Sequence, residues 1–166
     1  MSYMKRHQGL IPLTHDHHHA LAHARLLRVA ATGDGDLLQQ AKEFLRFFQK
    51  ETIDHFRQEE ETLFPFAVDD ERAKPLLGRV VLEHLQLHAL AARLRSEVEA
   101  GQPTQATAIQ VARALESHVR LEETQVFPLL EEILPPKRLG DIGLALRSRA
   151  RKGADLVVGY RRANEE

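Results

Sequence analysis

The chain contains no cysteine and no tryptophan, and only two tyrosines and two methionines. Without cysteine there can be no disulfide, no thiolate metal site and no cysteine nucleophile. Neither sign of charge dominates: 23 Lys and Arg against 24 Asp and Glu leave a formal net charge of −1. That balance offers no electrostatic attraction to nucleic acid or to an anionic membrane, so neither is expected as a partner. Long apolar runs are missing as well. Met1 to Gln8 lack the hydrophobic stretch of a signal peptide, and no later run is long enough to span a bilayer. A cytoplasmic location is the expectation.

What remains is a chain of 166 residues, 43% hydrophobic and 28% charged, the size of one globular domain with a core of its own. A single domain over 1–166 is expected, with the core of the fold at about 12–133 and a C-terminal segment at 134–166. The abundant chemical residue is histidine, of which there are ten. The run His15-Asp16-His17-His18-His19 differs from a purification tag: aspartate interrupts it, it lies inside the chain, and it leads into the helical Ala20 to Leu27.

Periodicity and punctuation predict helices throughout. The first runs from about Thr14, a candidate N-cap after Pro12, to Ala31, where Thr32-Gly33-Asp34-Gly35-Asp36 breaks it. Asp36 can cap a second helix from Leu37 to about Phe64, whose apolar face carries Phe44, Phe47, Phe48 and Phe56; Pro65 ends or kinks it. A third spans about Pro75 to Ala100 and stops at Gly101-Gln102-Pro103. Thr104 can cap a fourth, which reaches about Ile133 before Pro135-Pro136. Beyond it, Leu139, Ile142, Leu144 and Leu146 predict a short amphipathic helix, more readily a cap on the fold than a dimer contact. The arginine-rich tail ending Asn164-Glu165-Glu166 is expected to fray. No strand alternation is present. The fold class is therefore all-α: an antiparallel up-down four-helix bundle with a short additional C-terminal helix.

The two halves repeat each other. His55-Phe56-Arg57-Gln58-Glu59-Glu60 in the second helix parallels His118-Val119-Arg120-Leu121-Glu122-Glu123 in the fourth, and Phe-Pro follows nine residues after each histidine. The first and third helices match through Asp16-His17 and Glu83-His84. Helices one and two thus read as a copy of helices three and four about an approximate two-fold axis.

Residues four apart on an α-helix share a face, with Cβ atoms roughly 5–6 Å apart. One His-x-x-x-Glu is usually a solvated pair. Two copies in step, each followed by Phe-Pro and each joined by an acidic-residue-His helix, point instead to a metal centre at the bundle core. The candidate ligands are His55, Glu59, His118 and Glu122, with His17 and His84 from the other helices. His88, four residues after His84, is either a further ligand or a pocket histidine. Nitrogen with carboxylate suits iron, manganese or zinc. In the first helix the repeat selects His17, with His18 next and His15 and His19 further alternatives. In the fourth, Glu122 lies about 40° from the direction of His118 and Glu123 about 140°. His7 and His23 read as surface or packing residues, and Glu60, Glu61 and Glu123 as solvated.

His17, His55-x-x-x-Glu59, His84-x-x-x-His88 and His118-x-x-x-Glu122, in that helix order over roughly residues 10–132, resemble the hemerythrin-like (HHE cation-binding) proteins. The resemblance implies a non-haem centre of two iron ions, oxo- or hydroxo-bridged, with Glu59 and Glu122 as bridging carboxylates and terminal histidines; zinc or manganese are possible substitutes. Where such proteins bind oxygen, five histidines leave one iron an open position, and His88 would supply the fifth here. The implied function is binding or sensing of oxygen or another small gas such as nitric oxide. The alternatives are a di-iron enzyme acting on peroxide or nitric oxide, and iron handling. Tyr3 and Tyr160 lie outside the core helices, so no tyrosine relay is expected. A ferritin-like bundle would need Glu-x-x-His pairs that this chain lacks.

Overall fold

The computed structural model describes residues 5–33 and 35–163, with side chains up to residue 149. The expected fraying of 164–166 and the side chains of Tyr3 and Tyr160 lie outside the described residues. Five helices follow one another: α1 (Ile11–Thr32), α2 (37–66), α3 (Ala73–Glu99), α4 (105–133) and α5 (Pro136–Ala163). No strand is present among the described residues, and no helix is long and apolar enough to cross a membrane. The side chains of α1 and α3 each pack against both α2 and α4, which places them diagonally across an up-down bundle.

The caps show why the breaks fall where they do. The Asp36 carboxylate accepts from the Gln39 N–H at 2.9 Å, and the Thr104 hydroxyl oxygen from the Thr107 N–H at 3.2 Å. Gly101 adopts φ 71°, the left-handed conformation that glycine reaches without strain, in the turn after α3. At the start of α1 the expectation changes. The helix begins at Ile11 with Pro12 in its first turn, where a missing N–H costs nothing. Thr14 does not cap it; its hydroxyl donates to Glu123 Oε1 at 2.8 Å.

Two helices contain widened, π-helical turns. In α2 these are Phe48–Thr52 and Glu59–Leu63, and in α4 Glu122–Val126. The Phe64 N–H donates to the Glu59 carbonyl and the Phe127 N–H to the Glu122 carbonyl, five residues back in each case. Each of these two turns begins on the glutamate of the repeat and closes just before its Phe-Pro. A proline ring collides with the carbonyl four residues earlier in a regular α-helix, and a one-residue bulge relieves that collision. After it, α4 continues to Ile133, whereas α2 tightens into a 3-10 turn, Phe64–Phe66, and ends.

The core has two apolar blocks. One contains Ala24, Leu27, Phe44, Phe48, Phe56, Leu87, Leu94, Val111 and Leu115. The other contains Leu10, Leu13, Leu63, Phe64, Leu77, Val80, Phe127 and Leu130, together with Leu139, Ile142 and Leu146 of α5. The C-terminal helix does close this end of the bundle, but at 28 residues it is not short. Leu144 points outward and is exposed. Arg149 donates to Glu61 at 2.6 Å and ties α5 to α2.

α5 lies tightly against the turn at Gly9 through its own Leu139 and Gly143. A Cβ on Gly143 would lie 2.5 Å from Gly9 Cα, whereas one on Gly140 would meet nothing within 4 Å. Gly140→Ala should therefore stabilise the protein by up to about 1 kcal/mol through helix propensity. Gly143→Ala should destabilise it by about 1–3 kcal/mol through overpacking. Urea denaturation of the two variants measures both, and equal effects would refute the docking of α5 on the Gly9 turn.

Candidate metal centre

Between the two apolar blocks lies a single polar layer. His17 from α1, His55 and Glu59 from α2, His84 from α3, and His118 and Glu122 from α4 are all between 0 and 5% exposed. Helical spacing explains the convergence: His55 with Glu59, and His118 with Glu122, stand one turn apart and face the bundle axis. The ligand-type atoms fall into two overlapping groups, each within 4.8 Å of one another. One is His17, His55, Glu59 and Glu122; the other is Glu59, His84, His118 and Glu122. Both glutamates are common to both groups.

The inner distances follow this division. His55 Nε2 lies 3.3 Å from Glu59 Oε1, and His84 Nε2 lies 3.4 Å from Glu59 Oε2. Glu122 Oε2 lies 3.0 Å from His17 Nε2 and 3.4 Å from His118 Nε2. These are approaches without hydrogen-bond geometry: all four carboxylate oxygens, His84 Nε2 and His118 Nε2 are buried and have no hydrogen-bond partner. Burying two such carboxylates costs several kcal/mol each unless a cation compensates. The donors are nitrogen and oxygen, so the site fits iron, manganese or zinc.

A second ring of carboxylates orients the imidazoles. The Nδ1–H of His17 donates to Glu123 at 2.7 Å, that of His84 to Glu60 at 2.6 Å, that of His55 to Asp16 at 3.1 Å and that of His118 to Glu83 at 3.1 Å. The carboxylate acceptors assign the proton to Nδ1 and turn each Nε2 lone pair inward. His17 Nε2 and His55 Nε2 then face each other at 3.0 Å, an arrangement satisfied either by a proton shared between them or by a metal ion. The four outer pairs obey the two-fold relation of the halves. Arg6 holds Glu123 at 2.8 Å and Arg79 holds Glu83 at 2.9 Å. Glu60 and Glu123, expected to be solvated, are thus bound to histidines. Each outer carboxylate adjoins an inner residue in sequence, and a side chain turned about 100° from an inner one faces the neighbouring helix. That adjacency was a usable signal.

Among the first-helix histidines His17 is buried, while His15, His18 and His19 are exposed. His88 does not join the layer. It is exposed, with its ring edge-on to Phe48 and Phe56 at 5.7 and 5.8 Å. Phe56 stacks flat on His84 at 3.8 Å and fills the space above it, which keeps the next histidine of that helix outside. His23 stacks on Phe47 at 4.1 Å, a packing residue whose burial lowers its pKa.

A cavity of about 10 Å³ adjoins the layer. It is bordered by His17, His55 and His118, by the apolar Ala20, Phe47, Phe56, Leu115 and Val119, and by Thr52. Asp16 and Glu51 also border it, and both are partly exposed.

Electrostatics sets a competition between protons and metal. Burial opposes a charge on His55, but the neighbouring Glu59 carboxylate and the hydrogen bond to Asp16 outweigh it and hold its pKa well above the usual imidazole value. His17 and His84 are raised by the same opposition of burial against carboxylates. Burial pushes Glu123 up, yet hydrogen bonds from His17, Arg6 and Thr14 bring it down to about 2. Metal must displace protons from the three raised histidines, so occupancy at fixed free metal should climb as pH rises above about 6.5. Stability of the metal-free protein should move the other way. A raised folded pKa stabilises fully below the unfolded value of about 6.5, and that contribution is lost as pH rises through the folded pKa. Thermal melts between about pH 6.5 and 9 should show Tm falling in the metal-free protein and holding in the loaded one. Glu123→Gln, which weakens the hold on His17, should reduce metal affinity by roughly 10–100-fold in a chelator titration.

The sequence pattern of the Hemerythrin HHE cation binding domain matches residues 10–130. Comparison with curated proteins and with solved structures gave no match. The matched stretch takes in all six residues of the polar layer and nearly all of the four bundle helices, so the chain belongs to the Hemerythrin HHE cation binding domain family.

Proposed function

We propose that this centre holds two iron ions, with Glu59 and Glu122 bridging them, and that it binds oxygen or another small gas such as nitric oxide reversibly. The observation that carries this reading is the pair of overlapping His-His-Glu-Glu groups with a small, mostly apolar cavity beside them, lined by His17, His55 and His118. Each group offers two imidazole nitrogens and a share of two carboxylates. Four protein donors leave room in the coordination sphere of a metal that prefers five or six, and iron is such a metal. Iron supplies the electrons that gas binding requires. The protein's own residues fix the Nε2 donors through the outer carboxylates and exclude bulk water with the two apolar blocks. A cavity of about 10 Å³ has room for roughly one molecule the size of water, which suits a diatomic gas.

A second reading, turnover of peroxide or nitric oxide, draws on Asp16. This carboxylate accepts from His55 Nδ1, borders the cavity and is partly exposed, so it can exchange protons between solvent and the site.

Anaerobic loading with ferrous iron, metal counting and visible spectra before oxygen, with oxygen and after its removal separate these readings. About two irons per chain, with a band that appears with oxygen and vanishes on its removal, is the expected result. Irreversible bleaching with consumption of added peroxide would transfer the site to the enzyme reading. Less than about one iron per chain, unchanged in His55→Ala and His118→Ala, would remove the proposal.

A further inference from the structure

The two-fold relation between the halves is broken beside the metal layer. Three residues after His84 stands Leu87, and three before His118 stands Leu115; both are fully buried. The corresponding positions in the other half are Ala20, three after His17, and Thr52, three before His55. The smaller pair borders the cavity, and of the larger pair Leu115 lines it as well. One substitution of leucine by alanine makes space, and the other introduces a hydroxyl where its counterpart has a methyl group.

That hydroxyl is unsatisfied. Thr52 is 4% exposed, and its Oγ1 is buried without a hydrogen-bond partner. A helical threonine ordinarily donates to the carbonyl four residues back. Thr32 does so to Arg28 at 2.9 Å, and Thr124 to Arg120 at 2.7 Å. Thr52 does not, and the Phe48 carbonyl it would use accepts from the Ile53 N–H across the widened turn. Leaving a buried hydroxyl unpaired is destabilising, and such a group in a ligand-sized cavity is free to serve a ligand.

We propose that the Thr52 hydroxyl is the hydrogen-bond donor to a small molecule held in this cavity, and that it favours ligands whose outer atom accepts a hydrogen bond, as oxygen and nitric oxide do. The inference rests on the gas-binding reading above and assigns Thr52 a role in ligand retention. Asp16 and Glu51, which also border the cavity, are acceptors when ionised, so Thr52 is the neutral donor among its lining side chains outside the imidazoles.

The test compares the iron-loaded full chain with Thr52→Val, which keeps the shape and removes the donor, and Thr52→Ser, which keeps the donor. Iron content and the melting temperature of the metal-free protein establish that each variant is folded and loaded. Stopped-flow release of oxygen and of nitric oxide is then measured, with the stretching frequency of bound nitric oxide recorded in H2O and D2O. Thr52→Val should release both gases roughly three- to tenfold faster and lose the isotope shift, and Thr52→Ser should retain both properties. Release rates and isotope shifts that match across all three proteins would overturn the role of Thr52 while leaving gas binding intact. Failure of all three loaded proteins to bind either gas would overturn the gas-binding reading and this inference with it.

Discussion

Two glutamates lie at the centre of a helical bundle with their oxygens shielded from water and no protein donor to satisfy them. Much of the surrounding structure can be understood as what keeps them there. Apolar blocks above and below exclude solvent, which raises the energy of the bare carboxylates and strengthens their attraction to any cation. Imidazoles approach from four helices, and outer carboxylates hold each ring in one tautomer. A layer of this kind is destabilising by itself and stabilising once charge is supplied, so folding and metal binding are coupled through the same atoms.

The backbone is adapted to the same layer. Both glutamates open a π-helical turn, and both turns close before a proline. Proline in the interior of a regular helix would interrupt it; here the interruption is absorbed by one extra residue in the turn that carries the buried glutamate. The two halves then diverge. One helix ends within three residues, and the other runs on to meet α5. The halves also diverge at the side-chain level, Ala20 and Thr52 against Leu87 and Leu115, and the smaller pair borders a cavity that Leu115 and His118 line from the other half. A nearly two-fold framework thereby has two unlike sides.

The helices were legible because their boundaries are local: Asp36 and Thr104 cap, and Gly101 ends a helix, through contacts within a few residues. The inner residues were legible because spacing on a helix fixes direction. The start of α1 was not, since Pro12 fits inside a first turn as well as before one, and Thr14 is drawn to Glu123 on α4. His88 shows the limit of the spacing argument. It stands one turn from His84, but Phe56, a residue of another helix, occupies the room it would need. Glu60 and Glu123 were obscured for the same reason: their partners are on helices distant in sequence. The length of α5 escaped because the basic stretch Arg147 to Gly153 interrupts its apolar pattern while its backbone stays helical.

The histidine run in α1 gives that helix a spare ligand. If α1 slipped by one residue, His18 would take the inward position and His17 the place of Asp16. The centre would keep its full number of imidazoles, but His55 would face a ring where it now donates to a carboxylate, and Thr14 and Glu123 would lose their alignment. The histidines are thus degenerate with respect to sliding and cannot define where the helix stops. Asp16 can, because no neighbour at that end of the run duplicates its charge. The single acidic residue in the run thus joins the apolar face in giving this helix a unique vertical setting, since the same slip would carry Arg25 and Arg28 into the buried places of Ala24 and Leu27.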